Sequence, residues 1–491
     1  MTHDISVAEG GQNPAAPPRT VKNADPTRLT PRLRGILAIV LVASMLDLMD
    51  SQITNIAAPS IVHNLGGGEA LIKWLGASYQ MAIGTFLVIG GRLGDRYGKR
   101  RLYLIGITGF VAASALCGLS VDPAMLIIGR IIQGAFGAML IPQGISILMA
   151  ALSREQLPRA FSAFGPILSI ATVSGPIIGG FIIAADIAGL DWRPVFLINI
   201  ALGGVGLIAA LRLLPHDKPI SHERIDLFGS GLLGLMMLTL ILGLIQGSTD
   251  GWTAIPIASL VAGAFFFVAF AVRQRQAANP LIMPSLFTNR GFTGGLVVCL
   301  AFFVAMTGLS YVLSLFFQLI LHYTPDRAAI ALSPLALGFI VASFVCRPLI
   351  QRLGRTLVAT GLAVTLCGTL GLWATVLARG TEVSGWLAAP SIFVLGLGMG
   401  ACISSLYDVA VGDVTHDEAG SASGALSAVQ QLASAIGAAV ITTVFFKVDA
   451  SHGGAAAMTA SVFVVALIFT ACLGLVWLLP RAAAPEAFPR E

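Results

Sequence analysis

At 491 residues, 56% of them hydrophobic and only 11% charged, the chain carries less than half the charge of an average soluble protein, for which the share is roughly 25%. With a mean hydropathy of +0.87, this excludes a soluble enzyme and identifies an integral membrane protein. The net charge of +5 would suit a nucleic-acid partner if it were clustered on one face, but it is spread between apolar runs.

Residues 1–34 are polar, rich in Pro, Asn and Thr, and lack an apolar core, so they read as a disordered cytoplasmic tail and not as a signal peptide. Beyond them lie fourteen runs long enough to cross a bilayer, near 36–62, 74–91, 102–121, 124–150, 161–185, 194–214, 227–247, 254–272, 292–321, 328–350, 356–378, 386–411, 421–446 and 456–479. Backbone groups in lipid must pair within their own segment, so each run is predicted to be a helix. With the amino terminus inside, 23 of the 29 Lys and Arg residues fall in the tails and the loops on that side. Lys73, Arg193, Arg327, Arg379 and Lys447 fall on the other side, and Arg130 lies within a run. That asymmetry predicts two cytoplasmic termini and accounts for the basic balance with no nucleic acid.

The first run holds two carboxylates, in Ser44–Thr54, "SMLDLMDSQIT". Asp47 is 11 residues beyond Ile36, hence about 16 Å deep at about 1.5 Å per residue, near the middle of a core about 30 Å thick. Each Asp there costs about 2.5–3.5 kcal/mol on insertion. Asp47 and Asp50 stand three apart, nearly on one face with Ser51 and Thr54, so they are expected to meet a wet cavity or a partner and to titrate as a coupled unit. The alternative is a pair of static hydrogen-bond acceptors within the bundle.

After the second run comes "GGRLGDRYGKRR". Its glycines, Gly91, Gly94 and Gly98 among them, allow a tight turn. Asp95 is placed to accept from the amino end of a neighbouring helix, and Arg92, Arg96, Lys99, Arg100 and Arg101 to anchor the cytoplasmic face. An ordinary basic loop would look similar. A phosphate loop is excluded, since Gly98-Lys99 is followed by Arg100 instead of Ser or Thr. "QRLGRTL" after the tenth run echoes this stretch, with Arg352 and Gly354 matching Arg96 and Gly98, and predicts two related halves.

In the fourth run Arg130 is the one basic residue deep in a span, able to hold the charge of Asp47 or Asp50 or a backbone carbonyl. The fifth run, "GPILSIATVSGPIIGG", carries Gly165, Pro166, Gly175, Pro176, Gly179 and Gly180, small and helix-bending residues suited to a close interface between halves. The twelfth run aligns Gly396, Gly400, Ser404 and Asp408 four apart on one face, with Asp408 a possible transport residue or a solvated end. Gln318, Gln430, Gln431, Tyr79, Tyr311 and Asn199 are further polar groups in apolar runs, read mostly as interhelical hydrogen bonds with a minority lining a substrate path. The six cysteines have no CxxC spacing, and His222-Glu223 lacks the second His of HExxH, so no metal site is expected.

These motifs together resemble the major facilitator superfamily, and within it the fourteen-helix drug:proton antiporters. Gly91–Arg100 fits GxLxDRxGxR after the second helix. "RIIQGAFGA" resembles its RxxxG motif at Arg130 and Gly134, and the fifth run resembles the antiporter motif. "LMDSQITNIAAPSI", "DWRPVFLINI" and "NPLIMPSLFTNRGF" resemble further family stretches, with departures at Gln52, Ala58 and Ala201.

The resemblance implies an all-α integral membrane protein of two six-helix pseudo-symmetric bundles, 35–214 and 292–479, with an inserted helix pair at 226–273 and a cytoplasmic tail at 480–491. It implies a proton-coupled exporter of small amphipathic compounds, not an enzyme, with Asp50, Asp47 and Arg130 coupling protons. Asp408, Gln318, Gln430, Tyr79 and Tyr311 are the candidate cavity residues. It implies no cofactor beyond the proton gradient, and a monomer in the bacterial cytoplasmic membrane. Arg outnumbers Lys 24 to 5, which hints at a GC-rich bacterium and an antibiotic or secondary metabolite as cargo. A proton-linked uptake carrier is the alternative. A membrane sensor without transport, and an intramembrane aspartyl protease suggested by Tyr407-Asp408 but lacking GxGD, are remote.

Overall fold

A computed structural model describes residues 29–153, 156–216, 226–249, 251–277, 280–346, 349–410, 414 and 419–480. Among these the chain forms fourteen helices of 20 residues or more and no strand. In order they are α1 (Pro31–Leu65), α2 (Gly68–Tyr97), α3 (Lys99–Gly118), α4 (Pro123–Ala151), α5 (Leu157–Ala184), α6 (Pro194–Leu213) and α7 (Leu227–Thr249). They continue as α8 (Ala254–Gln276), α9 (Arg290–Leu315), α10 (Pro325–Cys346), α11 (Arg355–Arg379), α12 (Gly385–Ala410), α13 (Ala419–His452) and α14 (Gly454–Leu475). A π-helical turn, Phe316–Ile320, extends α9.

Local chemistry sets several starts. Thr30 caps α1, its hydroxyl accepting from Leu33 N at 3.3 Å, with Pro31 in the first turn. Asp122 and Asn289 cap α4 and α9 in the same way, at 2.9 and 3.1 Å. The tail expected to reach residue 34 is therefore corrected: a cap and a proline start the helix at Pro31. Most of that tail, and residues 481–491 of the other, lie outside the described residues.

Twelve of the helices are by length and hydropathy alone fit to cross a membrane. α2 and α5, 30 and 28 residues long and only partly described, make the main contacts of the first half with the second.

Packing repeats with a shift of eight helices. In the first half α3 packs on α4 and α6, α2 on α4, and α1 on α5 and α6. In the second, α11 packs on α12 and α14, α10 on α12, and α9 on α13 and α14. The seams between halves obey the same rule, α5 on α10 and α13 on α2. The short echo in sequence has a structural counterpart. Gly98 and Gly354 both take positive φ, 96° and 49°, where each chain turns into α3 or α11. Arg100, just after the first, donates to Leu211 O at 2.9 Å at the end of α6. Arg355, just after the second, donates to Trp477 O and Leu479 O at 3.4 and 3.5 Å beyond α14. Each cation thus sits on the carbonyl end of the last helix of its half, where the helix dipole favours it.

The inserted pair breaks the symmetry. α7 packs on α2 and α13, covering that seam, and α8 packs on α7. Asp226 accepts from Arg273 at 3.0 and 3.2 Å and from Gly229 N at 3.0 Å, tying the two helices at the end that carries the chain termini.

Among the described residues, the halves touch at mid-bundle and near the end away from the termini. An added Cβ on Gly180 of α5 would lie 2.5 Å from Pro325 O, and one on Gly76 of α2 would lie 2.7 Å from the Tyr311 ring and hydroxyl. Lys73 of α2 is buried there, paired with Glu69 at 3.6 Å and 5.8 Å from the Phe446 ring centroid of α13. Sequence reasoning set Lys73 in a loop; α2 starts at Gly68, so its stem and charge enter the seam instead.

Candidate functional site

Asp50 sits at the centre of a buried polar cluster confined to the first half. It pairs with Arg130 of α4, and both side chains are within 1% of full burial. Oδ1 of Asp50 also accepts from Gln133 Nε2 at 2.9 Å and from Asn199 Nδ2 of α6 at 2.6 Å. Gln133 stands one helical turn beyond Arg130, so its Oε1 receives Arg130 Nη1 at 2.8 Å while its Nε2 reaches Ser114 of α3 at 2.7 Å. The Ser114 hydroxyl donates onward to Phe110 O at 2.9 Å. A charge pair this far from water survives only when its remaining lone pairs and protons are met, and here they nearly are. Nε of Arg130 is the exception, with no partner among the described residues.

Asp47 lies one turn earlier and has a different neighbour. Its Oδ1 accepts from the Tyr79 hydroxyl at 2.5 Å, and the Tyr79 ring lies 4.1 Å from the Arg130 guanidinium carbon. Phe196 of α6 flanks the same cation at 5.7 Å. Gly137 gives Asp47 and Tyr79 their space: a Cβ there would stand 3.4 and 3.3 Å from their oxygens. The two acids share a region of α1 but have separate partners, and their expected companions go elsewhere. Thr54 donates to Asp50 O at 2.8 Å, and Ser51 accepts from Gln80 at 2.8 Å.

A narrow cleft lies on another face of α1, between the halves. Gln52, Asn55 and Ile56 of α1 and Pro176 and Ile177 of α5 form one wall. Met306, Ser310 and Ser314 of α9 and Ala329, Leu332, Ser333, Leu335, Ala336 and Phe339 of α10 form the other. Helix-breaking residues make this meeting possible. Pro59 has no N–H for the carbonyl of Asn55, and the Ser314 hydroxyl fills that gap across the seam at 3.1 Å. Gln318, in the π-turn, donates beside it to Ile56 O at 3.1 Å. Pro334 frees the Ile330 carbonyl of α10 likewise, and Ser333 takes it at 2.7 Å.

None of the five expected cavity residues lines this cleft among the described residues. Gln318 ties the halves together at its edge, Tyr79 holds Asp47, and Tyr311 packs against Gly76. Gln430 accepts from Tyr407. The side chain of Asp408 lies outside the described residues, as do those of Ser404, Asp95, Gly165 and Pro166. Gly396 and Gly400 serve close packing of α12 on α10, where a Cβ at Gly396 would collide with Leu335 O.

The glycine motifs divide their work. Gly90 and Gly94 press α2 onto α4, against Ala138 O and the Gln143 amide, which itself donates to Gly90 O at 2.7 Å. Gly91 stands beside Pro142, Arg92 reaches Pro280 O at 3.5 Å, and Arg96 covers the Tyr97 ring at 5.3 Å. Lys99 opens α3. Gly175 and Gly179 press α5 onto α1 at Gln52 and Ile53, Gly180 presses it onto α10, and Pro176 faces the cleft. Ser114 and the cleft serines escaped the sequence reading because single hydroxyls in apolar runs carry no signal. Gln133 was recoverable from its three-residue spacing to Arg130.

The profile of the Major Facilitator Superfamily matches residues 40–438. The chain belongs to the Major Facilitator Superfamily. It is a multi-pass membrane transporter of small molecules and not an enzyme. It is 37% identical to a probable actinorhodin transporter of Streptomyces coelicolor over 85% of this chain and 73% of that one. It is 31% identical to the cephamycin export protein CmcT of Amycolatopsis lactamdurans, over 88% and 90%. It is 30% identical to the puromycin resistance protein of Streptomyces alboniger, over 86% and 84%. Among solved structures, a bacterial homologue of the human drug peptide transporters PepT1 and PepT2 shares the superfamily fold at a TM-score of 0.65 and 14% identity, over 91% and 97% of the two chains.

Proposed function

We propose that this transporter exports small amphipathic antibiotic-like compounds in exchange for protons, by alternating access between its two halves. The observation that carries the coupling is the buried Asp50–Arg130 pair. A proton delivered to a carboxylate oxygen of Asp50 removes the counter-charge of Arg130. The guanidinium is then left buried with a net charge, an arrangement costing about 3–5 kcal/mol. Asp47, held by Tyr79 against the same cation, is the acid to which Arg130 turns, and its unused Nε supplies a donor for that contact. The protonated and deprotonated clusters thus favour different positions of α4 against α1. That difference is what a coupling ion must supply to shift a two-state equilibrium.

Direction follows from charge and kinship. The bias of Lys and Arg supports a cytoplasmic placing of both termini. The seams closed around Gly180 and Lys73 then face outward, and the conformation described is sealed on the outer side. Two of the named relatives are an export protein and a resistance protein, which favours efflux over uptake. The proton gradient is the energy source, with no cofactor, and a single chain carries both halves of the machine. In proteoliposomes with an imposed proton gradient, the wild type is expected to move a fluorescent hydroxyanthraquinone against its concentration, and Asp50→Asn to lose that movement. Equal uphill transport by Asp50→Asn would remove Asp50 from the coupling role.

A further inference from the structure

The cleft between the halves holds no ionisable side chain among its described lining residues. The two acids of α1 are committed elsewhere: Asp50 to Arg130, Gln133 and Asn199, and Asp47 to Tyr79. We infer that the cleft is the cargo site and that it selects uncharged molecules with an apolar body and a hydroxyl-bearing edge. This deepens the proposed export function and rests on it.

The polar inventory of the cleft defines that edge. Asn55 Nδ2 donates to Gln52 Oε1 at 3.2 Å, which leaves Gln52 Nε2, the second Nδ2 hydrogen and Oδ1 of Asn55 for a ligand in the cleft these residues line. Ser310 donates to Met306 O at 2.9 Å and Ser333 to Ile330 O at 2.7 Å. Both hydroxyls have committed their protons to the backbone and present only lone pairs. The cleft thus offers amide N–H donors at Gln52 and Asn55 beside oxygen acceptors at Asn55, Ser310 and Ser333, a mixture matched by hydroxyl groups, which both donate and accept. Met306, Phe339 and Leu332 supply apolar contact, and a thioether adapts to rings of different outline. A cation placed here would lose its water and find no counter-charge, whereas a neutral phenol would exchange water for these partners.

The test measures binding to purified full-length protein in nanodiscs, with no proton gradient, so failure of proton coupling cannot affect it. The probes, used at about pH 6, are 2,6-dihydroxyanthraquinone, which is neutral there and has hydroxyls free of internal hydrogen bonds, and ethidium, a flat cation. The neutral probe is expected to bind at least about 10-fold more tightly. Gln52→Leu should weaken it by about 10-fold, and the isosteric Gln52→Glu should give ethidium a gain of about 10-fold or more. Size-exclusion elution and helical circular dichroism report whether each variant is folded. Ethidium binding as well as the quinone on wild type, or quinone affinity unmoved in both folded variants, overturns the inference. If quinone binding behaves as stated and gradient-driven transport fails, the cleft stands and the coupling proposal falls.

Discussion

Asp50 is held by three side chains from two helices, Arg130 and Gln133 of α4 and Asn199 of α6, and this sets the energetics of the residue scale. Arg130→Met strands a buried carboxylate and is expected to lower stability by about 3–5 kcal/mol, read as a fall in melting temperature in detergent. Adding Asp50→Asn to Arg130→Met removes the stranded charge and should restore most of that loss without restoring transport. A double variant no more stable than Arg130→Met alone would show that the pair does not account for the cost. Asp50 and Arg130 were legible because charge in an apolar run is conspicuous. Lys73 is equally conspicuous, but hydropathy marks where a helix becomes apolar and not where it begins, so the apolar run from Trp74 leaves it outside a helix that starts at Gly68. The identity of the partners was less legible: nothing in α3 singles out Ser114, and Asn199 stood among several polar residues with no indication of which would reach the acid.

Prolines inside helices govern the element scale. Pro59 frees a carbonyl of α1 that Ser314 of α9 satisfies, so a helix defect becomes a bond between halves. Ser314→Ala is expected to cost about 1–3 kcal/mol in the wild type, because it orphans a buried carbonyl. In a Pro59→Ala background, where the introduced alanine supplies an N–H to that carbonyl, the same change should cost little. The coupling in this double-mutant cycle is expected to be about 1 kcal/mol or more, and additive changes would contradict the account. On α5, Gly180→Leu drives a side chain into Pro325 O and should part the halves on that side, raising thiol labelling of a cysteine placed at Ala329. The fourteen runs located all fourteen long helices, with ends displaced by a few residues where caps outran hydropathy, as at Thr30. The π-turn that aims Gln318 across the seam left no mark on the run that contains it.

On the scale of the whole molecule, the two halves repeat one packing pattern, and among the described residues the buried Asp50–Arg130 cluster lies in the first of them. The halves meet through neutral groups at the cleft, apart from the Asp50–Arg130 pair proposed to respond to protons. The proposed separation of driving site from cargo site has an electrical consequence. If the cargo is neutral, each cycle carries net proton charge, so an imposed membrane potential should drive export without any pH difference. A cationic cargo exchanged for one proton would show no such response.

The central claim is that proton transfer at Asp50 drives transport, and substrate-induced proton movement tests it most directly. Proteoliposomes containing a pH-sensitive dye are loaded with a transported compound, and proton entry is recorded as the compound leaves. Wild type should take up protons in step with export, and Asp50→Asn should show no proton movement above that of empty vesicles. Proton uptake by Asp50→Asn at the wild-type rate, at matched protein content, would contradict the account.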